Sequence, residues 1–578
     1  MLDSQKIRTS APEIDALKIG SGWTVSDLDK MQVFIQSTSG DSHPGSVHLQ
    51  KYVEIAEQEL YKLGVKGAKY TVTDMCDGMA QGHDGMNYSL PSREYIANMI
   101  SVQGNSMPFD AGLFFSSCDK GIPAHLKAIS MLDIPSIVVT GGVMPPGPDL
   151  LTLEQIGKYY AQLKRDEITD EEFKEKQCSA CPGSGACSFL GTATTMQIMS
   201  EALGLALPGT TCAPATFEVL NKNVLDSSKA LINTCKNALK PSKIITKKAF
   251  ENAVMVHAAI GGSTNAIMHM MTLAKVLNLD IDVKIFDEMS KKIPYLVNVR
   301  PSGFYPATDF WYAGGVPMVM EQLRDFLHLD VMTVTSKTLG ENLEDLKNSD
   351  FYKKNHDALS SRGIDYKDII KPIDTPINSE GSIALLYGNL APEGSVVKHS
   401  AVVKEMHKVT LTAKVFDSEE EAFKAVTTDI IQPGDAVIIR FEGPKGSGMP
   451  EMFYTSEAIA SHEVLNRTTA LITDGRFSGA TRGPAIGHLS PEAALGGPIA
   501  LLEDGDLIEI DIPNRGLNII GINREKLPLD EVNKILTVRK KSWKPKATES
   551  GIDSLSIYKH LAVSGMEGAY MEVSNDNK

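Results

Sequence analysis

The sequence predicts an α/β domain built on a parallel sheet, followed by a mainly β, barrel-like domain. In the first two thirds of the chain, helical patterns alternate with short runs of β-branched residues. One such run, residues 137–140, leads directly into Gly141-Gly142, as a parallel strand does when it delivers a loop at its carboxyl end. Farther along, short strand patterns are separated by glycine, proline and aspartate turns. We therefore expect an α/β domain over residues 1–370 and a β-rich domain over residues 371–578.

Individual elements can be predicted within this division. The helical patterns cover residues 50–63, 193–205 and 247–255, and the strand patterns cover residues 409–416, 436–441, 469–472 and 507–512. Between residues 350 and 380 a polar stretch ends in closely spaced prolines, which is typical of a domain boundary.

Length and charge limit the possible functions. The 578 residues exceed the size at which one hydrophobic core keeps growing, so at least two domains are expected. A formal net charge of -15 leaves no basic surface to neutralise phosphates, which argues against a nucleic-acid partner. An acidic enzyme that acts on an anionic acid must overcome the repulsion locally, and a divalent metal ion in the site would do so.

The apolar segments and the cysteines indicate the compartment. No apolar stretch is long enough to cross a bilayer, and the N-terminus lacks the charged and apolar regions of a secretory signal, so no membrane partner is expected. Seven cysteines are an odd and sparse number for this length. They fit a reducing cytoplasm, where clustered cysteines bind metals or catalyse rather than form disulfides.

The first candidate site is Cys118-Asp119-Lys120, between an apolar run and a helical pattern. A thiolate there can bind a soft metal, and the adjacent carboxylate can bind a hard one. Taken alone, the triplet fits a buried cysteine beside a surface Asp–Lys pair better than a metal site.

The second candidate site is a loop with three cysteines in ten residues, Cys178, Cys181 and Cys187. Its glycines let the backbone wrap closely, so an iron–sulfur or zinc loop is indicated. No second pair of cysteines or histidines has the spacing of a tetrahedral zinc site. Packing cysteines or a redox thiol remain alternatives from the pattern itself.

Three glycine-rich segments present further polar groups. Residues 74–86 carry Asp77, residues 441–452 carry Glu451, and residues 472–480 run from a strand pattern to Ser478. Each segment alone is compatible with an ordinary tight turn or a capping serine.

Together, and in this order, the five segments resemble the family of dihydroxy-acid, aldonic-acid and phosphogluconate dehydratases, with dihydroxy-acid dehydratases the most similar. The resemblance covers nearly the whole chain. Further matching stretches are residues 88–94, 202–209, 261–266, 388–394 and 487–493.

The resemblance implies a role for each candidate residue. Cys118 and Cys187 would bind an iron–sulfur cluster, and Ser478 would be the general base. The ligands implied for Mg²⁺ are Asp77, Asp119, Glu451 and Lys120, with Lys120 carboxylated. Carboxylation is chemically reasonable because an ammonium group has no lone pair to offer a cation.

One position differs from the sequence pattern that many members of this family share. Where they carry a cluster cysteine between a proline and a His-Leu pair, this chain has Gly45. Members associated with oxygen-sensitive [4Fe–4S] clusters also have glycine there, so the resemblance favours [4Fe–4S] over [2Fe–2S]. Cys76 and Cys181 are both candidates for the third cysteine ligand.

The expected reaction is dehydration of a 2,3-dihydroxy carboxylic acid to a 2-keto acid. Dihydroxy-acid dehydration in branched-chain amino-acid biosynthesis is favoured, with an aldonate such as xylonate, arabinonate or gluconate as the alternative substrate. A non-catalytic iron–sulfur paralogue or sensor is the alternative from another class. The resemblance further implies a homodimer or a homotetramer.

Overall fold

A four-stranded parallel sheet organises the N-terminal part of the chain. The computed structural model describes residues 2–479, 481, 483–545 and 551–573. The strands are β1 (Met31–Ser37), β2 (Val65–Thr71), β3 (Ala111–Ser116) and β4 (Ser136–Thr140), in the order β2-β1-β3-β4. Because all four run in parallel, their carboxyl ends meet at one edge of the sheet.

Helices surround this sheet and continue well beyond it. They are α1 (Asp3–Ser10), α2 (Glu13–Gly20), α3 (Val25–Leu28), α4 (Leu49–Lys62), α5 (Asp77–Ala80), α6 (Ser89–Ser106), α7 (Gly121–Leu132), α8 (Gln155–Lys164), α9 (Asp170–Ser179), α10 (Thr192–Ala202), α11 (Phe217–Lys236), α12 (Pro241–Ile244), α13 (Lys247–Ile260), α14 (Asn265–Val276), α15 (Ile285–Lys292), α16 (Ala307–Tyr312), α17 (Gly315–Gln322), α18 (Leu339–Lys347), α19 (Phe351–Ser360) and α20 (Tyr366–Ile369).

The second part of the chain is built on a nine-stranded mixed sheet. Its strands are β5 (Ile383–Leu386), β6 (Gly394–Lys398), β7 (Lys408–Phe416), β8 (Asp435–Ile439), β9 (Ala470–Thr473), β10 (Ala485–Ser490), β11 (Leu507–Asp511), β12 (Gly516–Ile522) and β13 (Glu525–Lys526). Its helices are α21 (Glu419–Thr427), α22 (Phe453–Ala460), α23 (Leu529–Ser542) and α24 (Ser554–Leu561).

This second sheet curls towards closure. The strand order is β13-β12-β11-β7-β8-β9-β10-β6-β5, so β5 lies at one edge. Yet Tyr387, directly after β5, bridges Gly516 at the start of β12, near the opposite edge. The sheet therefore curls far enough to bring the end of β5 to β12, and the predicted α/β domain followed by a mainly β, barrel-like domain is confirmed.

The two parts share core and are fastened at the C-terminus. Alternate residues of β5 face different cores: Ile383 and Leu385 pack with the helices of the first part, and Ala384 and Leu386 pack inside the curled sheet. After α24 the chain returns to the first part, where the Arg93 guanidinium donates to backbone carbonyls of residues 568 and 569 at 2.9 and 3.0 Å. This packing fixes the loops of the first part relative to those of the second part.

The predicted elements are found with shifted ends, and two features differ. The parallel sheet is confined to residues 31–140, and helices dominate the described residues 141–382 rather than alternating with strands. The polar stretch expected at a domain boundary contains α19 and α20. One face of α19 is buried through Asn355 and Leu359, which explains why a stretch with few apolar residues folds as a helix.

Candidate active site

The carboxyl edge of the parallel sheet presents Asp77 and the Cys118-Asp119-Lys120 triplet. Asp77 begins α5 in the loop region after β2, and the triplet links β3 to α7. The buried Lys120 ammonium donates to Asp77 Oδ2 at 2.5 Å, and Ser89 Oγ donates to Asp77 Oδ1 at 2.8 Å. Burial opposes the charge of Asp77, but Lys120 and Arg476 outweigh it and hold the pKa of this carboxyl below its usual value.

Asp119 lies in a more negative environment than Asp77. Its Oδ1 accepts a hydrogen bond from the Ala193 backbone amide at 2.9 Å, next to the start of α10. Burial, followed by the nearby charge of Asp77, raises the pKa of Asp119 to about 7, and Glu451 adds to the effect. These buried carboxylates repel one another, which is the charge pattern that a divalent cation relieves.

Glu451 reaches the same place from the second part of the chain. Gln81 donates to Glu451 Oε2 at 2.8 Å, and Asn265 donates to Oε1 at 2.7 Å. Arg476 also donates to Oε1 and donates to Ser89 Oγ at 2.8 Å. The segments around Glu451 and Arg476 form an isolated parallel bridge, so the backbone itself holds the two side chains together.

Ser478 and the carboxylates line one cavity of about 260 Å³. Its polar lining includes Asp77, Asp119, Glu451 and Ser478. Its apolar lining is formed by Leu153, Ile156, Phe189 and Phe453. Ala480, the last residue of the Ser478 segment, lies outside the described residues.

The cysteine thiols gather beside Asp119. Hydrogen bonding from Cys118, opposed by burial, lowers the pKa of Cys76 to about 6, and the same contact raises the pKa of Cys118. Burial raises the pKa of Cys187, and the charges of Asp119, Cys76 and Cys181 add to this rise. Cys178 is exposed on α9, so the structure separates it from this group.

Gly45 faces the thiol of Cys118 directly. A Cβ atom placed on Gly45 would lie 3.1 Å from Cys118 Sγ and 3.1 Å from His43 Nδ1. His43 Nε2 lies 2.9 Å from Asp74 Oδ1, whereas His43 Nδ1 is buried without a hydrogen-bond partner. The position where many members of the resembling family carry cysteine is therefore next to Cys118.

The carboxylates, as placed, are bonded to the chain's own donors. Within the described residues, no three His, Cys, Asp or Glu side chains are arranged to hold a metal ion. Lys120, Arg476, Asn265 and Gln81 donate to Asp77 or Glu451 instead.

Comparison with known proteins places the chain in a family. Residues 30–342 match the model of the dihydroxy-acid/6-phosphogluconate dehydratase N-terminal domain, and residues 368–569 match the model of the C-terminal domain. The chain belongs to the dihydroxy-acid/6-phosphogluconate dehydratase family.

Relatives within this family are similar over nearly their full length. A dihydroxy-acid dehydratase of Syntrophobacter fumaroxidans is 40% identical over 565 residues, covering 96% of each chain. Dihydroxy-acid dehydratase 1 of Methanosarcina acetivorans is 43% identical over 507 residues, covering 86% of this chain and 89% of the relative. A dihydroxy-acid dehydratase of Acetivibrio thermocellus is 39% identical over 563 residues, covering 96% of this chain and 97% of the relative.

The candidate site residues lie close together in this chain, but some of their hydrogen-bond partners are not predictable from the sequence. The structure brings Asp77, Asp119, Glu451 and Ser478 to one cavity, with Lys120 bonded to Asp77. It adds Arg476, Asn265 and Gln81, which orient Glu451. Arg476 and Asn265 lie in segments that resemble the family, but the spacing of residues in those segments does not indicate that the two side chains contact Glu451.

No described helix is both long and apolar enough to span a membrane.

Proposed function

We propose that this chain dehydrates a 2,3-dihydroxy carboxylic acid to a 2-keto acid, as the dihydroxy-acid dehydratase of branched-chain amino-acid biosynthesis. The observation that carries the proposal is the cavity in which Ser478 faces the same space as Asp77, Asp119 and Glu451. Relatives named dihydroxy-acid dehydratase match over nearly the whole chain, which supports the same reaction here.

The apolar part of the cavity lining suits a branched alkyl substrate, whereas the polar part, which includes Gln81, Glu154, Gln177, Thr192 and Tyr454, would suit a polyol acid. Leu153, Ile156, Phe189 and Phe453 offer an apolar surface that suits methyl and ethyl groups. A sugar acid has several hydroxyls, each of which would need a hydrogen-bond partner on that surface. The aldonates xylonate, arabinonate and gluconate therefore remain the alternative substrates.

Mg²⁺ is proposed to bind among Asp77, Asp119, Glu451 and Lys120. The donor set is oxygen-rich, as Mg²⁺ requires, and the pKa of Asp119 is raised first by burial and then by the neighbouring charges of Asp77 and Glu451, which a cation would offset. Lys120 fits this set as a carbamate, because its ammonium form donates to Asp77 and has no lone pair for a cation.

An iron–sulfur cluster is proposed to bind Cys118, Cys187 and Cys76. The contact between the thiols of Cys76 and Cys118 supports Cys76 over Cys181 as third ligand. Three cysteines leave one iron of a [4Fe–4S] cluster without a cysteine ligand, and with Gly45 this favours [4Fe–4S] over [2Fe–2S].

The chain's own residues would bind the substrate and move its proton. When bound, the cluster and Mg²⁺ supply Lewis acidity towards the substrate's hydroxyls and carboxylate. The Ser478 oxygen removes the proton from carbon 2, while hydroxide departs from carbon 3, and the resulting enol tautomerises to the keto acid. Arg476 and Asn265 hold Glu451 in place, and Phe453 covers the alkyl group and excludes water.

A non-catalytic iron–sulfur paralogue or sensor is the competing function. Such a protein needs its cysteines, but not the carboxylates and the serine. Asp77, Asp119, Glu451 and Ser478 line one cavity and Lys120 donates to Asp77, which favours the enzyme. We further propose a cytoplasmic homodimer or homotetramer, which sedimentation of the purified protein would test.

The function is tested by anaerobic purification followed by measurement of keto-acid release. Dihydroxyisovalerate is compared with xylonate, arabinonate and gluconate, and release from dihydroxyisovalerate is the expected result. Preference for an aldonate would establish the alternative substrate class, and release from none of the four would favour the sensor.

The role of Ser478 is tested in the same assay. We expect Ser478→Ala to lower kcat by roughly 10²–10⁴-fold, the usual contribution of a positioned general base. Iron and magnesium content should equal those of the wild type. A loss of only a few-fold with both metals retained would refute the assignment of Ser478 as base.

A further inference from the structure

Lys398 is a buried lysine that has no role in the mechanism proposed above. It is the last residue of β6 and is 8% exposed. Two neighbouring strands hold it in place, because Lys398 pairs in register with Ile383 of β5 and the preceding Val397 pairs with Ile486 of β10. A lysine is almost never this buried without a partner, so its surroundings call for an explanation.

The side chain of Lys398 faces the segment that carries Ser478. Both residues line a small cavity together with Ser263, Thr264 and Thr481. The large substrate cavity is also lined by Ser478 but not by Lys398. Ser478 thus borders both the proposed substrate site and the small cavity that Lys398 lines.

No carboxylate balances the charge of Lys398 within the described part of the chain. Burial lowers the pKa of Lys398 to about 8. On α13, His257 faces it, and burial lowers the pKa of His257 to about 4. The adjacent His399 has its pKa lowered to about 4 by burial and by Arg515. Both histidines are therefore neutral near pH 7, and the other polar side chains that the structure describes in the cavity lining are hydroxyls.

We propose that Lys398 is the positioning residue that prepares Ser478 as the base, by taking up its proton and stabilising the resulting alkoxide. The inference rests on the proposed function of Ser478. The O–H bond of Ser478 breaks and an N–H bond forms on the neutral Lys398 amine. Because the two side chains are not directly hydrogen-bonded to each other, the proton passes through one water molecule in the cavity of about 20 Å³ that both line, and an alkoxide and an ammonium group remain at its two sides. Among the described residues no other anion lies near the ammonium, which therefore stabilises that alkoxide, because the attraction is strong in a buried site.

The protons balance over one turnover. The alkoxide takes the proton of carbon 2 and becomes a hydroxyl again. The ammonium then releases its proton, which combines with the departing hydroxide to form water, so the amine returns to its starting state. No oxidant or reductant is required.

The kinetic test compares Lys398→Met and Lys398→Arg with Lys404→Met, an exposed lysine nearby in the sequence. For the wild type, kcat should rise with pH as one proton leaves the Lys398–Ser478 pair. Lys398→Met should lower kcat by roughly 10²–10⁴-fold with little change in KM, and added propylamine should restore part of the rate. Lys398→Arg should move the rise to higher pH, because a guanidinium keeps its proton. Lys404→Met should behave as the wild type.

Iron content and apparent Tm are measured on each variant to separate this role from a structural one. A Lys398→Met enzyme with normal kcat and a raised KM would overturn the proposal, since Lys398 would then bind substrate. An unchanged pH profile in Lys398→Arg would also overturn it.

A second measurement does not depend on turnover and separates this inference from the proposed function. NMR of protein labelled with ¹³C at lysine Cε reports the titration of Lys398 in the wild type and in Ser478→Ala, and needs no reagent to reach the buried amine. Removing the hydroxyl should shift the titration of Lys398 but not that of Lys404. An unshifted Lys398 would overturn the proposal even in an active enzyme, and a shifted one would support the coupling even if the substrate were misassigned.

Discussion

Replacing Arg476 with methionine should destabilise the protein and make it depend more strongly on Mg²⁺. The Arg476 side chain is fully buried, donates to Glu451 and Ser89, and has one guanidinium nitrogen 3.6 Å from Asp77 Oδ2. Methionine fills a similar volume but leaves two buried carboxylates short of a positive charge. Loss of one member of such a buried pair costs about 3–5 kcal/mol.

The expected size of the effect can be read from thermal unfolding. A change of 1 kcal/mol shifts Tm by roughly 2–4 °C in a domain of about 150–250 residues. Arg476→Met should therefore unfold roughly 6–20 °C below the wild type without added metal. Because the carboxylates lose a competing cation, Mg²⁺ should bind them more tightly and raise the Tm of the variant more than that of the wild type.

Differential scanning fluorimetry with and without Mg²⁺ measures both effects. Arg324→Met is the matched control, because Arg324 pairs with the more exposed Glu321 and Glu344, and such pairs contribute at most about 1 kcal/mol. If Arg476→Met lost no more than this control and responded equally to Mg²⁺, the charge balance described for Glu451 and Asp77 would be wrong.

Two further predictions concern the cluster and the substrate. Cys76→Ser should lose most of its iron and its cluster absorbance after anaerobic reconstitution, whereas Cys181→Ser should retain both; the opposite result would make Cys181 the third ligand. Leu153→Asn should lower kcat/KM for dihydroxyisovalerate by roughly 10–200-fold, because it replaces apolar lining with an amide, while activity on xylonate should fall less. An unchanged ratio between the two substrates would show that the alkyl group does not contact this side of the cavity.

Local sequence patterns were sufficient for many of the secondary-structure elements. The helix expected at residues 50–63 is α4, and the strand expected at residues 409–416 is β7. In such segments the spacing of apolar residues indicates which face of the helix or strand is buried. The extent of the parallel sheet was predicted less well, because short apolar runs between residues 141 and 382 fit a buried helix as readily as a strand.

The sequence by itself determined which chemical groups are present and which family they resemble. Asp77, the triplet ending in Lys120, and Ser478 could each be named from a short motif, because their neighbours in the chain carry the pattern. Tertiary structure decided their partners. Arg476 meets Asp77, and Lys398 faces Ser478, across sequence separations that no local pattern encodes. A charge is stabilised or destabilised by whatever is buried beside it, and burial is a property of the folded chain as a whole.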